Sequence, residues 1–145
     1  MGNEVFVHEV ETASELLLER VNVLLGQLSS SPHSFTMDDL KALVTAADSH
    51  LLVAECNGVV AGMLTLGCYL APTGRKIWIE DVVVDEAMRG RSIGRLLVEH
   101  AVEYARSLGG GTLMLTSRPS REAANALYRS CGFELKETNN YRMKL

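Results

Sequence analysis

An apolar strand, a basic glycine-containing loop and an amphipathic helix follow one another in the middle of this chain. Residues 77–84 read IWIEDVVV, an apolar run interrupted only by two adjacent acids, and they predict a strand. Residues 92–108 carry apolar side chains at helical spacing and are followed by three glycines, and they predict the helix. A helix that follows a strand in this way buries its apolar side against a sheet, so we expect a fold of the α/β (α+β) class.

The remaining elements are predicted by similar patterns. Two strand-like runs, 51–55 and 59–66, are joined by Asn57-Gly58, which favours a tight type I′ turn. Other strands are predicted at 5–10, 112–116, 133–137 and 141–145, and other helices at a capping box from Thr12 to Glu15, from Thr36 and from Ser120. The order is βααβββαβαββ. Without an internal repeat or a linker, it predicts a single domain over residues 1–145, built on one mixed sheet with helices on both faces.

The composition excludes several classes of protein. Hydrophobic residues make up 47% and charged residues 22%, which is typical of a soluble globular chain and not of a disordered one. A net charge of −4 gives no support for nucleic-acid or polybasic membrane binding. No apolar run approaches the roughly 20 residues that cross a bilayer, so we expect a cytoplasmic protein. The three cysteines and four histidines have no disulfide-framework or metal-ligand spacing, so no metal is expected.

The loop before the central helix has the features of an anion-binding site. A helix start presents unpaired backbone N–H groups and a partial positive charge, which together suit a phosphate. Gly90 and Gly94 allow close approach to the backbone, and Arg89, Arg91 and Arg95 add three cations. The alternative is an ordinary turn in which Ser92 caps the helix and the arginines are solvated. Neither a P-loop nor a dinucleotide G-x-G-x-x-G motif is present, which argues against a simple NTP or NAD as the ligand.

Two motifs resemble those of one enzyme family. Residues 89–94, RGRSIG, follow VVVD and resemble the [QR]-x-x-G-x-[GA] pyrophosphate loop of the GNAT (Gcn5-related) N-acetyltransferases, which bind acetyl-CoA. Residues 124–133, ANALYRSCGF, resemble the family's A-x-x-L-Y-x-x-x-G-F element. The resemblance runs from about residue 51 to the C-terminus and implies a mixed, mostly antiparallel central sheet of about six to seven strands. It also implies that acetyl-CoA contacts Val82, Val83, Val84, Arg89, Gly90, Arg91, Ser92, Ile93, Gly94 and Arg95.

The chain departs from the family pattern at two positions. Ser92 occupies the place of a loop glycine, and its hydroxyl is able to bind a phosphate oxygen itself. Arg121 replaces an asparagine that the family often has seven residues before the tyrosine, and it is expected to reach a CoA phosphate. Weaker CoA binding is one expected consequence of these changes.

The resemblance also implies which side chains carry the chemistry. Tyr128 matches the family's general acid, because a phenol of pKa about 10 stays protonated at neutral pH and can protonate a departing thiolate. Its spacing with Ala124 and Leu127 equally fits a core aromatic. Glu80 is the expected base for the amine proton, and Glu80 and Asp81 are expected to meet a cationic substrate, as in polyamine N-acetyltransferases. The alternative is a surface ion pair of these acids with Arg75 or Lys76.

These features together predict an acetyl-CoA-dependent N-acetyltransferase. Transfer is expected to be direct, in a ternary complex, to a primary amine that is a small cationic amine or the lysine or N-terminus of a protein. The resemblance allows a homodimer, and neither nucleic acid nor membrane is expected as a partner. The alternative function is a non-catalytic acyl-CoA-sensing or partner-binding domain, for which Ser92 and Arg121 are the motivation.

Overall fold

The computed structural model describes residues 4–30 and 34–145 of the chain. A strand and two helices come first, followed by three long strands, a helix, a short strand and a last helix. The strands are β1 (Val5–Glu9), β2 (Ser49–Cys56), β3 (Val59–Ala71), β4 (Gly74–Val84) and β5 (Thr112–Met114). The helices are α1 (Glu15–Leu28), α2 (Met37–Thr45), α3 (Ile93–Ser107) and α4 (Glu122–Ser130), with a 3-10 turn at Glu86–Met88.

The strands form one mixed sheet in the order β1-β2-β3-β4-β5. The first three pairs are antiparallel, and β4 and β5 are parallel. Asn57 and Gly58 have φ angles of 54° and 81°, and Cys56 pairs with Val59, so the predicted two-residue hairpin turn is confirmed. The prediction of a mixed α/β fold with a mostly antiparallel sheet is therefore correct.

Helices cover both faces of the sheet, as expected. One cluster of buried side chains, which includes Leu64, Ile77 and Leu97, lies between the sheet and α3. The other cluster includes Val53, Leu24 and Leu40 and lies between the opposite face and the helices α1 and α2. No helix within the described ranges combines the length and the apolar character needed to span a bilayer.

The predicted strand count is wrong. Residues 4–30 and 34–145 contain five strands where six to seven were expected, because 133–137 and 141–145 form no strand. Both segments alternate apolar and polar residues, but a strand also requires a hydrogen-bonded neighbour, and no described segment pairs with them. Leu135 and Tyr141 are accordingly 91% and 87% exposed.

Two helix starts also differ from the predictions. The N-cap of α1 is Ser14, which accepts from the backbone N–H of Leu17, so the expected capping box from Thr12 to Glu15 does not form. The N-cap of α4 is Arg121 in place of Ser120. The start at Thr36 is confirmed, and Thr36 and Asp39 form a reciprocal capping box.

Candidate active site

Strand β4 loses its neighbour halfway along its length. Only Lys76, Ile77 and Trp78 pair with β5, which ends at Met114. From Ile79 to Val84 the strand continues with β3 on one side and no described strand on the other. Alternate backbone N–H and C=O groups of this segment therefore face an open edge, and Val82, Val83 and Val84 lie along it.

A β-bulge places the two acids of β4 at the start of this open edge. Thr65 pairs with Glu80 and Met63 with Val83, so Asp81 is the extra residue, and its φ is +52°. Both acids are exposed. Neither makes an ion pair with a described residue, and Arg75 instead donates a hydrogen bond to the sulfur of Cys68 at 3.3 Å. The alternative of a surface ion pair is therefore not what the structure shows.

The environment of Glu80 favours its protonated form. Partial burial raises the pKa of the Glu80 carboxyl above its usual range, and the neighbouring charge of Asp81 raises it further. A carboxylate with a raised pKa is a stronger proton acceptor than an ordinary surface glutamate.

The end of the loop that follows β4, together with the start of α3, presents free backbone donors. Gly90 and Ser92 have φ angles of +86° and +59°, separated by Arg91 with negative φ. No described group accepts a hydrogen bond from the backbone N–H of residues 92–95. Successive N–H groups on such alternating backbone form concave anion-binding sites, here continuous with the start of α3.

Ser92 occupies the N-cap position of α3 without capping it. Its φ and ψ are 59° and 24°, the left-handed conformation that glycine adopts most easily, and its side chain makes no capping hydrogen bond. The hydroxyl is therefore free, and the interpretation of this segment as an ordinary capped turn does not hold.

The three arginines of the loop have different surroundings. Arg89 is exposed, and its guanidinium has no hydrogen bond within the described part of the chain. The Arg91 guanidinium lies 3.6 Å from the sulfur of Cys56, and that of Arg95 lies 2.5 Å from the Ser130 hydroxyl at the end of α4. Arg95 thus joins α3 to α4, while Arg89 is free to meet an anion.

Gly94 has a packing role. A Cβ at this position would lie 3.3 Å from the Leu127 side chain and 3.7 Å from that of Val84. Glycine therefore allows the first turn of α3 to approach α4 and β4 closely, and this packing role adds to the expected use of this glycine for ligand approach.

Tyr128 lies on α4 with its ring in the core. It is 6% exposed, and its ring meets that of Phe133 edge-on at a centroid distance of 6.1 Å. Burial raises the pKa of the Tyr128 phenol, and the charge of Arg121 partly opposes this effect. No described residue accepts a hydrogen bond from the hydroxyl. Tyr128 is thus a core aromatic whose hydroxyl remains available.

A buried acid supports the loop, and sequence reasoning missed its role. Asp85 is 8% exposed, and its carboxylate accepts hydrogen bonds from Arg20 at 2.5 Å and Gln27 at 3.2 Å, both on α1. The backbone N–H of Ala87 donates to the same carboxylate, and that of Glu86 donates to the Gln27 side chain. The bonds from Arg20 and Ala87 hold the pKa of Asp85 below its usual range. The only sequence signal was the position of Asp85 directly after the strand, because its partners lie 65 and 58 residues away.

Other surface features do not coincide with the predicted residues. A groove between α1 and the edge of the sheet is lined by Phe6, Leu16 and Val59, and it contains none of the predicted site residues. Within the described ranges, no group of three or more His, Cys, Asp and Glu side chains is arranged to hold a metal ion.

Comparisons with known proteins point to one family. A sequence profile of the acetyltransferase (GNAT) family matches residues 18–133. Glucosamine 6-phosphate N-acetyltransferase 1 of Oryza sativa subsp. japonica is 36% identical over 121 residues, which cover 76% of this chain and 70% of the rice protein. An acetyltransferase structure from Agrobacterium tumefaciens superposes with a TM-score of 0.84 at 27% identity and covers 96% of this chain and 99% of its own.

A more distant structure shares the fold. An aminoglycoside N-acetyltransferase solved in complex with CoA has a TM-score of 0.79 at 16% identity, and the match covers 99% of this chain and 97% of the other. The two predicted motifs, the family profile and the curated relatives agree. This chain belongs to the GNAT family of acetyltransferases.

Proposed function

We propose that this protein transfers an acetyl group directly from acetyl-CoA to a primary amine, with both substrates bound together. The observation that carries the proposal is the run of unpaired backbone N–H groups from residue 92 to residue 95, at the start of the helix that follows the open edge of β4. An anion site beside an unpaired strand edge fits a molecule that joins a pyrophosphate to an extended amide-containing arm.

The cofactor-binding roles follow from this placement. The segment of Gly90, Arg91, Ser92 and Ile93, with the Arg89 guanidinium, binds the pyrophosphate, chiefly through the free backbone N–H groups at the start of α3. The open backbone of Val82, Val83 and Val84 pairs with the pantetheine arm as an added strand would. Arg121, which is exposed at the start of α4, binds a further phosphate of the cofactor. Gly94 and Arg95 hold α3 and α4 together beneath the loop.

Two side chains perform the proton transfers. Glu80 accepts a proton from the incoming ammonium group, directly or through water, so that the neutral nitrogen attacks the thioester carbonyl. A C–N bond forms and the C–S bond breaks, and the nitrogen then releases its one remaining excess proton to water, from which Tyr128 is reprotonated after the reaction. Tyr128 then donates its phenolic proton to the departing thiolate, and its raised pKa keeps that proton in place at neutral pH until the thiolate forms.

The acceptor is a primary amine that meets the acids at the bulge. Glu80 and Asp81 attract a cation, which suits a small cationic amine or a protein amine. The rice relative is named for an amino-sugar substrate, which favours the small-molecule class for this chain as well.

Ligand binding tests the first part of the proposal. We expect acetyl-CoA and CoA, but not ATP or NAD, to raise the melting temperature. A ligand at 100 times its Kd adds about 2.7 kcal/mol, which corresponds to a rise of about 5–10 °C for a chain of this size. No shift at millimolar acetyl-CoA would remove the cofactor site from the proposal.

Replacement of the proposed acid tests the second part. We expect Tyr128→Phe to lower kcat roughly 10- to 1000-fold with little change in acetyl-CoA affinity, because only the proton donor is lost. An unchanged kcat excludes Tyr128 as the acid. Selective CoA binding without transfer to any amine in a broad panel would instead support the non-catalytic acyl-CoA-sensing function.

A further inference from the structure

The hairpin of β3 and β4 extends beyond the helices that cover one face of the sheet. Leu51 on β2 belongs to the cluster beneath α1 and α2, and it pairs with Thr65 on β3. Residues directly opposite in an antiparallel sheet point to the same face, so Thr65 lies on this face too. Alternation then places six residues here in three cross-strand pairs, which we call the hairpin slot: Thr65 with Glu80, Gly67 with Trp78 and Tyr69 with Lys76.

The hairpin slot is partly open to solvent: Tyr69 and Glu80 are exposed, and the other four residues are half-buried. None of its six residues belongs to either buried cluster. Gly67 leaves the middle of the slot empty, because a Cβ built there would meet no atom within 4 Å. A ligand can therefore lie on the backbone of Gly67, directly beside the Trp78 side chain.

One wall of the slot is aromatic and held in place. The indole N–H of Trp78 donates a hydrogen bond to the Tyr69 hydroxyl at 3.3 Å, across the two strands. Tyr69 is 53% exposed, although large aromatic side chains are more often buried. Exposed and oriented aromatic rings are typical of sites that bind a molecule with both an apolar face and a charge.

The two ends of the slot carry opposite charges. Glu80, with Asp81 beside it, lies at the bulge, and Lys76 lies four residues earlier on the same face, about 14 Å away along the strand. Neither Glu80 nor Lys76 has an ion-pair partner in the part of the chain that the structure describes. The slot therefore offers an anion, an aromatic face and a cation in that order.

We infer that the hairpin slot binds the acceptor, and that the acceptor is a small amine carried on a ring with an anionic substituent, as in a phosphorylated amino sugar. This inference rests on the proposed function. The ammonium group lies at Glu80 and Asp81, the C–H face of the ring lies on Trp78 above Gly67, and the anionic group points to Lys76. A linear polyamine lacks the group for Lys76, and a peptide chain lacks a compact ring for Trp78.

The fluorescence of Trp78 tests this inference without any turnover, because Trp78 is the only tryptophan of the chain. We titrate the protein, with and without CoA, with glucosamine 6-phosphate, glucosamine, putrescine and a lysine-containing peptide. The expected result is a saturable change with glucosamine 6-phosphate, at least tenfold weaker binding of glucosamine, and no saturable change with the other two. No saturable change with either sugar, or tighter binding of putrescine or peptide, overturns the inference.

Substitutions of Lys76 and Trp78 then test which part of the ligand each of these residues contacts. We expect Lys76→Met to weaken binding of glucosamine 6-phosphate about tenfold and to leave that of glucosamine unchanged. In the transfer assay, we expect Trp78→Ala to raise the KM for the phosphorylated sugar about tenfold and Trp78→Phe to raise it much less. Neither variant should change the KM for acetyl-CoA. Leu70→Ala is the matched control, because Leu70 is 72% exposed and lies next to Tyr69 on the opposite face. Equal effects of Trp78→Ala and Leu70→Ala overturn the inference.

The two proposals fail in different ways. A fluorescence response to the sugar without acetyl transfer refutes the proposed catalysis and leaves the slot as a binding site. Transfer to an amine without any dependence on Trp78 or Lys76 refutes the slot and leaves the proposed catalysis standing.

Discussion

Ser92 combines an unfavourable backbone conformation with a free hydroxyl, and two substitutions separate the effects of these features. Its φ of 59° and ψ of 24° lie in the left-handed region, which costs a residue other than glycine roughly 1–2 kcal/mol. Ser92→Gly removes this strain, but the added freedom of the unfolded chain offsets about 0.4–1 kcal/mol of the gain. Ser92→Ala keeps the strain and removes only the hydroxyl.

The two variants are expected to differ in stability and in CoA affinity. Without ligand, the glycine variant should be more stable than the alanine variant by about 0.5–1 kcal/mol, or about 1–4 °C in melting temperature. With CoA, the alanine variant should bind about tenfold more weakly than the wild type. This corresponds to the loss of one hydrogen bond to a charged phosphate, worth about 1.5 kcal/mol.

Thermal denaturation and calorimetric titration with CoA measure these effects separately. Equal melting temperatures of the two variants would refute the left-handed conformation of Ser92 as a source of strain. Unchanged CoA affinity of Ser92→Ala would refute the contact between the hydroxyl and phosphate. A glycine variant that binds CoA more tightly than the wild type would show that the serine side chain obstructs the phosphate.

Two other predictions concern the supports of the site. Asp85→Asn removes the charge that Arg20 and Gln27 bind, and we expect a loss of about 2 kcal/mol, or about 4–8 °C in melting temperature at neutral pH. Because the pKa of Asp85 is lower in the folded than in the unfolded state, its charge stabilises the protein at pH values above the unfolded-state pKa of about 4. The stability difference between the wild type and Asp85→Asn should therefore shrink as the pH falls below that value. A constant difference down to pH 2 would refute the role of the charge. Gly111→Ala places a Cβ 2.5 Å from the carbonyl oxygen of Arg75, whereas the Cβ of Gly110→Ala meets nothing within 4 Å. We expect Gly111→Ala to lower the free energy of unfolding, measured with denaturant, by about 2 kcal/mol more than Gly110→Ala does. Both glycines have positive φ, so equal effects would mean that the close contact has no role.

Local sequence signals predicted the features of the site that depend on neighbouring residues. The Asn57-Gly58 turn, the capped start of α2 and the loop before α3 all arise from interactions over a few residues. The loop motif aligns Ser92 with a glycine of the family, and the positive φ of Ser92 gives a physical reason for glycine at that position.

Features that depend on distant segments were not predictable in the same way. The bulge at Asp81 is defined by the register with Thr65 and Met63, so it depends on the pairing of β3 with β4 and not on the local sequence. The support of Asp85 requires α1 to lie against the end of β4, which no local pattern encodes. The C-terminal segments have the alternation of strands, yet pairing with another strand decides whether they form one.

The Asp85 network has a consequence for how the two substrate sites depend on each other. Arg20 also donates to the backbone carbonyl of Val60 on β3, so one side chain connects α1, β3 and the first residue of the loop. The loop therefore keeps its position relative to the face of β3 and β4 that carries Thr65 and Glu80. Because the proposed CoA phosphates lie on the loop and the proposed acceptor lies on that face, Asp85→Asn should raise KM for acetyl-CoA and also lower kcat through misalignment of the amine and the thioester. A change in KM for acetyl-CoA alone would mean that Asp85 supports only the loop.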